Sequence, residues 1–358
     1  MPERNAAIDL WRVVAIFGIV VIHAEPFMRL EGGWHTLGLF LDAISRFAVP
    51  FFFLTSGYLF AGKILLSDSP KAYYRKYASK LLKLYFIWQA LYLLYDAATL
   101  QISGYHTYRQ ALADFQAMGL SDLVKIPVGL LYYGLYSSGY HLWFLTSLVA
   151  CIAVIYHCHR RGWIKRLLAV SAVLHVVGII GESYLGGFPR DFMARDALFF
   201  GLFYTTSGFA LFRYREIVAT AFAWPRSRFL WLIAGSALTQ YAERTWLTVS
   251  GDYSFATAIG CGGLFLMLMR FPDWGRHSVL SRMGRRSVGI YLVHLLFLNA
   301  ARLTLESLRM EEAADTLLWS LLLAPAVFLL SYAAAVSGSA MNGLSFRYAK
   351  KTRRRAAT

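Results

Sequence analysis

Apolar segments about as long as a bilayer is thick recur along the whole of this 358-residue chain. A helix needs roughly 20 apolar residues to cross the hydrocarbon core, where every backbone polar group must be satisfied internally. Only 16% of the residues are charged, too few to cover a water-soluble protein of this size. The pattern predicts an all-α integral membrane protein with about ten transmembrane helices in one bundle. The predicted spans are 8–25, 44–63, 79–100, 139–157, 165–182, 196–213, 228–247, 252–270, 287–304 and 316–337.

The charged residues divide unevenly between the two sides of such a bundle. If the N-terminus is cytoplasmic, about three quarters of the 36 Lys and Arg residues and about a quarter of the 20 Asp and Glu residues face the cytoplasm. The positive-inside rule favours this orientation. We therefore expect cytoplasmic termini, one membrane-embedded domain over residues 1–340 and a basic cytoplasmic tail over 341–358. The net charge of +16 then reflects topology and argues against a nucleic-acid partner.

Motifs for several common chemistries are missing from the sequence. The three cysteines have no metal-ligand spacing, and we expect them to be buried apolar residues and expect no metal cofactor. The sequence contains no phosphate-binding glycine loop and no Gly-x-Ser-x-Gly elbow.

The first span carries two ionisable residues, Arg12 and His23. Eleven helical steps make almost three turns, so both side chains lie on one stripe, roughly 16 Å apart along the axis. Ionisable groups at membrane depth are costly and usually face a polar interior or a substrate pathway. Two simpler interpretations stay open: Arg12 extends to the cytoplasmic interface or pairs with Asp9, and His23 is an ordinary interfacial histidine.

Four motifs occur in the order typical of a known family. They are Ile8-Asp-Leu-Trp-Arg12 with an apolar run to His23, Phe47-Ala-Val-Pro-Phe-Phe-Phe-Leu-Thr-Ser-Gly-Tyr58, His141-Leu-Trp-Phe144 and Ser287-Val-Gly-Ile-Tyr-Leu-Val-His294. Together they cover nearly the whole chain, which resembles the acyltransferase 3 family. One departure is Lys80-x-x-Lys83, where the family often has two arginines and a proline. Lysine retains the charge but cannot bind a phosphate through two parallel hydrogen bonds as arginine does.

The resemblance implies a membrane O-acyltransferase in its stand-alone form, without a fused esterase-like domain. Members take an acyl group, usually acetyl, from cytoplasmic acyl-CoA and place it on hydroxyls of extracytoplasmic polysaccharides or lipid-linked glycans. The expected location is a bacterial-type inner membrane, and the expected partners are acetyl-CoA, the glycan acceptor and membrane lipids. The resemblance does not identify the acceptor or the length of the acyl chain. It also leaves open whether the acyl group is transferred directly or through an acyl-histidine intermediate.

Candidate roles follow from this resemblance together with the chemistry of the side chains. His23 is the expected general base, because an imidazole titrates near neutral pH, and Glu25 is a candidate to orient it. Arg46 is a candidate oxyanion stabiliser, against the alternative of an interface anchor. The expected ligands of the CoA phosphates, some of which topology alone also explains, are Arg12, Lys80, Lys83, Arg282, Arg285 and Arg286. The expected lining of the acceptor and acyl sites is His141, Trp143, Tyr291 and His294, against an aromatic belt or structural hydrogen bonding.

Two other functions are compatible with the same residues. A transporter would use Arg12 and His23 as polar points on a solute or proton path, and would move its solute without acyl-CoA. A membrane sensor or assembly partner would carry no chemistry in its spans, and a long soluble effector domain would identify it.

Overall fold

The computed structural model describes residues 5–99, 137–185, 194–246 and 252–355, together with positions 129 and 131. Every element within these ranges is helical. Short 3-10 or π turns precede or follow several of the helices. The α-helices are α1 Ala6–Ala24, α2 Gly33–Ser45, α3 Ala48–Leu65, α4 Pro70–Thr99, α5 Trp143–Arg160, α6 Ile164–Ile179, α7 Leu202–Arg213, α8 Arg215–Ala221, α9 Arg226–Trp246, α10 Phe255–Arg270, α11 Val279–Gly284, α12 Ser287–Ser307 and α13 Leu317–Arg355.

Each of the ten predicted spans coincides with a helical segment, and the all-helical fold class is confirmed. By length and composition, six segments of the described residues are long and apolar enough to cross a membrane. The other four lie in α4, α7, α9 and α10, which are more polar or shorter, so the count of ten and the orientation stay predictions. The six segments are Ala6–Ala24, Gly33–Leu65, Tyr140–Arg160, Ile164–Tyr184, Ser287–Ser307 and Leu317–Gly338.

Helix α1 lies at the centre of the bundle and packs against α2, α3, α10, α11, α12 and α13. Its N-terminus is capped by the Asn5 side chain, which accepts a hydrogen bond from the amide of Ile8 at 2.9 Å. Its C-terminus closes at Glu25 in a left-handed conformation, φ 51°. A helix packed on so many neighbours has little lipid-facing surface, and its polar residues therefore project into protein.

Helices α3 and α7 are held together by a close approach of their backbones. The segment Phe53-Leu-Thr-Ser-Gly-Tyr58 lies against the similar segment Tyr204-Thr-Thr-Ser-Gly-Phe209. A Cβ atom at Gly57 would overlap the carbonyl oxygen of Thr205, and one at Gly208 would overlap that of Leu54. The contact is reciprocal, because each glycine meets the second residue of the other segment. Small residues permit such packing in lipid, where burial of apolar surface gives little driving force.

The last helix does not end at the predicted domain boundary. It runs from Leu317 to Arg355, so the backbone stays helical through position 340 and into the basic segment 341–358. Pro325 is accommodated inside this helix.

Candidate functional site

A cavity runs inside the bundle beside α1. Arg12 lines one end and His23 lines the other, and both residues belong to the same helix. Aromatic and aliphatic side chains, among them Phe52 and Phe144, line the part between. The arrangement joins a cationic group and an imidazole through one mostly apolar passage.

At the Arg12 end, the guanidinium pairs with the carboxylate of Asp9 at 3.5 Å. The two side chains are 19% and 11% exposed. Ser56 and Tyr77 line the same end of the cavity and add hydroxyl groups. The Asp9 pairing expected as an alternative therefore exists, but Arg12 still borders the cavity.

At the His23 end, the Nδ1 atom lies 3.0 Å from the hydroxyl oxygen of Tyr140, a hydrogen-bond distance. The two rings meet edge to face, with centroids 5.3 Å apart. The guanidinium of Arg302 donates a hydrogen bond of 2.9 Å to the carbonyl oxygen of His23. The imidazole and its backbone are therefore both held by side chains from other helices.

Two further histidines lie beside His23. The His294 ring lies 5.4 Å from the His23 ring and 5.0 Å from the His141 ring, measured between centroids. His294 Nδ1 lies 2.7 Å from the Tyr291 carbonyl oxygen, and the Tyr291 hydroxyl donates to the carbonyl oxygen of His141. His141 lines the cavity, and within the described ranges neither of its ring nitrogens makes a hydrogen bond. A buried imidazole with unused nitrogens is suited to hydrogen-bond a substrate.

Arg46 belongs to a chain of alternating charges at the same end. It donates to Asp42 at 2.8 and 3.2 Å and pairs with Asp252 at 2.6 Å. Asp42 also pairs with Arg244 at 2.6 Å, and Asp252 with Arg195 at 3.0 Å. Helices α2 and α9 are thus linked to the turn at Arg46 and to the loops that carry Arg195 and Asp252, and Arg46, Asp252 and Arg195 border the cavity. Because two carboxylates already engage all three nitrogens of Arg46, its geometry favours holding the site together over direct stabilisation of an oxyanion.

Other predicted residues lie away from this cavity or at its wall. Glu25 is exposed and borders a second cavity with Arg29 and Arg302, and the side chain that hydrogen-bonds with the His23 ring is Tyr140. Trp143 is buried in the cavity wall, and Tyr291 is partly buried there.

The other predicted ligands of the CoA phosphates lie at the surface. Lys80 and Lys83 are exposed on α4, and Arg286 is exposed before α12. Arg282 and Arg285 border a separate cavity that Asp9 also lines. Asp9 contacts Arg12, so this third cavity adjoins the Arg12 end through Asp9. Only Arg12 of this predicted set lines the central cavity itself.

Sequence reasoning missed three contributors to the site, namely Tyr140, Asp42 and Asp252. Tyr140 directly precedes the His141-Leu-Trp-Phe144 motif, and this adjacency was the available signal. Asp42 precedes Arg46 by four residues, a spacing typical of an ion pair along a helix, whereas Asp252 gave no signal because its partners are distant in sequence. Within the parts of the chain that the structure describes, no group of His, Cys, Asp or Glu is arranged to hold a metal ion.

Comparison with known proteins identifies one family over most of the chain. The model of the acyltransferase 3 family, described as an acyltransferase domain, matches residues 5–336. The chain is also 28% identical to a serine/alanine racemase of Enterococcus gallinarum over 188 residues, and 31% identical to an amino-acid racemase of Enterococcus faecalis over 196 residues. These matches cover 51% and 52% of this chain but only 24% of each racemase, so the chain spans about a quarter of their length. No solved structure matches the chain.

Proposed function

Because the chain belongs to the acyltransferase 3 family, we propose that it carries an acyl group, most often acetyl, across the membrane interior to a hydroxyl acceptor. The donor is cytoplasmic acyl-CoA, and the acceptor is an extracytoplasmic polysaccharide or a lipid-linked glycan. The observation that carries this proposal is the single cavity lined by both Arg12 and His23. A soluble donor and an external acceptor react only if a passage of this kind brings them together.

His23 acts as the general base in this proposal. Its neighbours are aromatic rings, other imidazoles and arginines, so the acceptor hydroxyl meets it away from bulk water. Removing the hydroxyl proton as the oxygen attacks the thioester carbon contributes typically 10²- to 10⁴-fold. The carbon–sulfur bond then breaks, and the thiolate receives the proton that the imidazole took up.

Arg12 binds the donor at the other end. A guanidinium about one-fifth exposed at a cavity mouth attracts phosphate, and its planar fork suits two parallel hydrogen bonds. The apolar middle of the cavity fits the uncharged pantetheine arm and the acyl chain. Arg282 and Arg285, in the adjoining cavity, are further candidates for the phosphates of the nucleotide.

The experiment that tests this assignment separates donor binding from transfer. Arg12→Ala should weaken CoA binding at least tenfold, and Arg12→Lys should have an affinity between those of the wild type and Arg12→Ala. His23→Gln should keep the dissociation constant for CoA within about twofold of the wild-type value. His23→Gln should reduce acyl transfer by 10²-fold or more, because glutamine keeps hydrogen bonding but accepts no proton. Arg29→Ala, at an exposed arginine outside the cavity, is the control for loss of a cation.

Two results would contradict the proposal. Normal CoA binding by folded Arg12→Ala protein would show that Arg12 has a structural role only. Near wild-type transfer by His23→Gln would show that His23 is not the general base. The rival transporter predicts solute flux in proteoliposomes without acyl-CoA, and this flux is measured on the same preparations.

A further inference from the structure

Tyr140 contacts one of the two imidazole nitrogens of His23, and this contact makes the two nitrogens different. We propose that Tyr140 is a positioning residue that holds the Nδ1–H tautomer of His23, so that Nε2 is the atom that takes the acceptor proton. The inference rests on the proposed role of His23 as the base. It starts from the 3.0 Å contact between Tyr140 Oη and His23 Nδ1 and from the edge-to-face packing of the two rings.

A neutral imidazole has one N–H donor and one lone-pair acceptor. If Nδ1 carries the proton and donates it to the Tyr140 oxygen, Nε2 keeps the lone pair that a general base needs. When Nε2 takes up the proton of the acceptor hydroxyl, the Nδ1–H bond to the phenol oxygen becomes charge-assisted and therefore stronger. The proton passes from Nε2 to the thiolate when the carbon–sulfur bond breaks, which restores the starting tautomer.

The turn that carries Tyr140 is anchored on both sides. The amide of Ser138 donates to Asp96 at 3.1 Å, and the Ser138 hydroxyl donates to the same carboxylate. Gly139 lies so close to Tyr92 that a Cβ atom would lie 2.8 Å from that ring. The amide of Leu142 donates to the Gly139 carbonyl at 2.9 Å. Helix α4 thus holds the turn that carries Tyr140, as a positioning role requires.

The other groups near His23 are less suited to this task. Glu25 follows His23 by two residues, but it is exposed and borders the second cavity. His294 lies beside the imidazole, but its own Nδ1 bonds to the Tyr291 carbonyl.

The test compares two Tyr→Phe variants of the full-length protein in detergent. Tyr140→Phe should lower kcat for acyl transfer by about 10- to 100-fold, the loss seen when a histidine at a metal site loses its outer hydrogen-bond partner. Binding of CoA should stay within about twofold of wild type. Tyr241→Phe, whose ring packs on Phe40 outside the cavity, should leave kcat unchanged and controls for a lost phenol.

A spectroscopic measurement distinguishes positioning from packing. In protein with ¹⁵N-labelled histidine, the signals absent from His23→Gln identify this ring, and their shifts report its tautomer. Wild-type protein should show mainly Nδ1–H, and Tyr140→Phe should show a mixture richer in Nε2–H. In the double variant with His23→Gln, Tyr140→Phe should cause no further loss of transfer, since the two residues act as a unit.

The outcomes separate the two proposals. An inactive His23→Gln together with a fully active Tyr140→Phe would contradict the positioning role of Tyr140, while the role of His23 as the general base would stand. An unchanged tautomer in Tyr140→Phe would also overturn it, even if activity fell. Active His23→Gln would instead contradict the proposed function itself.

Discussion

Replacing Asp42 by Asn should destabilise the folded protein by about 3 kcal/mol, because it removes a carboxylate shared by two arginines. Removing one partner of a buried ion pair costs about 3–5 kcal/mol, since the remaining charge is left without compensation. Arg46, one-tenth exposed, loses the opposite charge and one of its two hydrogen bonds to residue 42, because the Asn amide has one acceptor oxygen, and Arg244 loses its ion pair at 2.6 Å. The lower end of the range applies, because Arg46 keeps Asp252 and Arg244 is 26% exposed.

The assay is equilibrium unfolding of purified protein in detergent, compared with a matched substitution at the surface. Asp315→Asn removes the partner of Arg29 from a pair whose side chains are 57% and 64% exposed, and it should cost no more than about 1 kcal/mol. Adding Arg244→Met to Asp42→Asn should recover part of the loss, since one stranded charge is removed. If Asp42→Asn unfolds at the same denaturant concentration as Asp315→Asn, the charge chain does not hold the site together.

Three further predictions concern packing, substrate contact and topology. Gly57→Ala should destabilise by about 1–3 kcal/mol in the same unfolding assay, because its Cβ meets a backbone carbonyl, whereas Gly235→Ala, with open space around it, should be neutral or stabilising. His141→Phe should lower kcat about 10-fold or more without changing CoA affinity. His141→Gln should retain part of the rate, because an amide N–H still reaches the substrate. Equal rates for the two variants would contradict a hydrogen bond between His141 and the substrate. In a cysteine-free background, Ser67→Cys should be labelled from the cytoplasmic side and Ser137→Cys from the external side, and labelling of both from one side would contradict the orientation.

The helical fold follows from the sequence because few backbone structures can satisfy their own polar groups inside the hydrocarbon core of a membrane. Backbone groups without water must bond within a helix, so apolar segments of sufficient length indicate where helices lie. The break between Gly33–Ser45 and Ala48–Leu65 was not expected, and the predicted span 44–63 began too late to include α2. The first of these helices carries Asp42, whose partner Arg46 lies four residues later, but whose second partner, Arg244, is distant in sequence and is not revealed by periodicity.

The candidate site could be predicted only in part, for a related reason. Arg12 and His23 share one helix, so their common face follows from helical geometry alone. Tyr140 and His294 reach His23 from distant parts of the chain, and only the three-dimensional packing brings them together. Glu25 shows the opposite error, because nearness in sequence suggested a contact that the turn at the end of α1 directs away.

The central claim is that one protein joins a donor on the cytoplasmic side to an acceptor on the other side through the cavity beside α1. The most direct measurement uses proteoliposomes of uniform orientation, with isotope-labelled acetyl-CoA on the side of the Arg12 end and envelope glycans on the side of the His23 end. The account predicts labelled O-acetyl groups on the glycan, detected by mass spectrometry, with wild-type protein and not with His23→Gln. Equal labelling by both proteins, or none with wild type across a panel of envelope glycans, would contradict it.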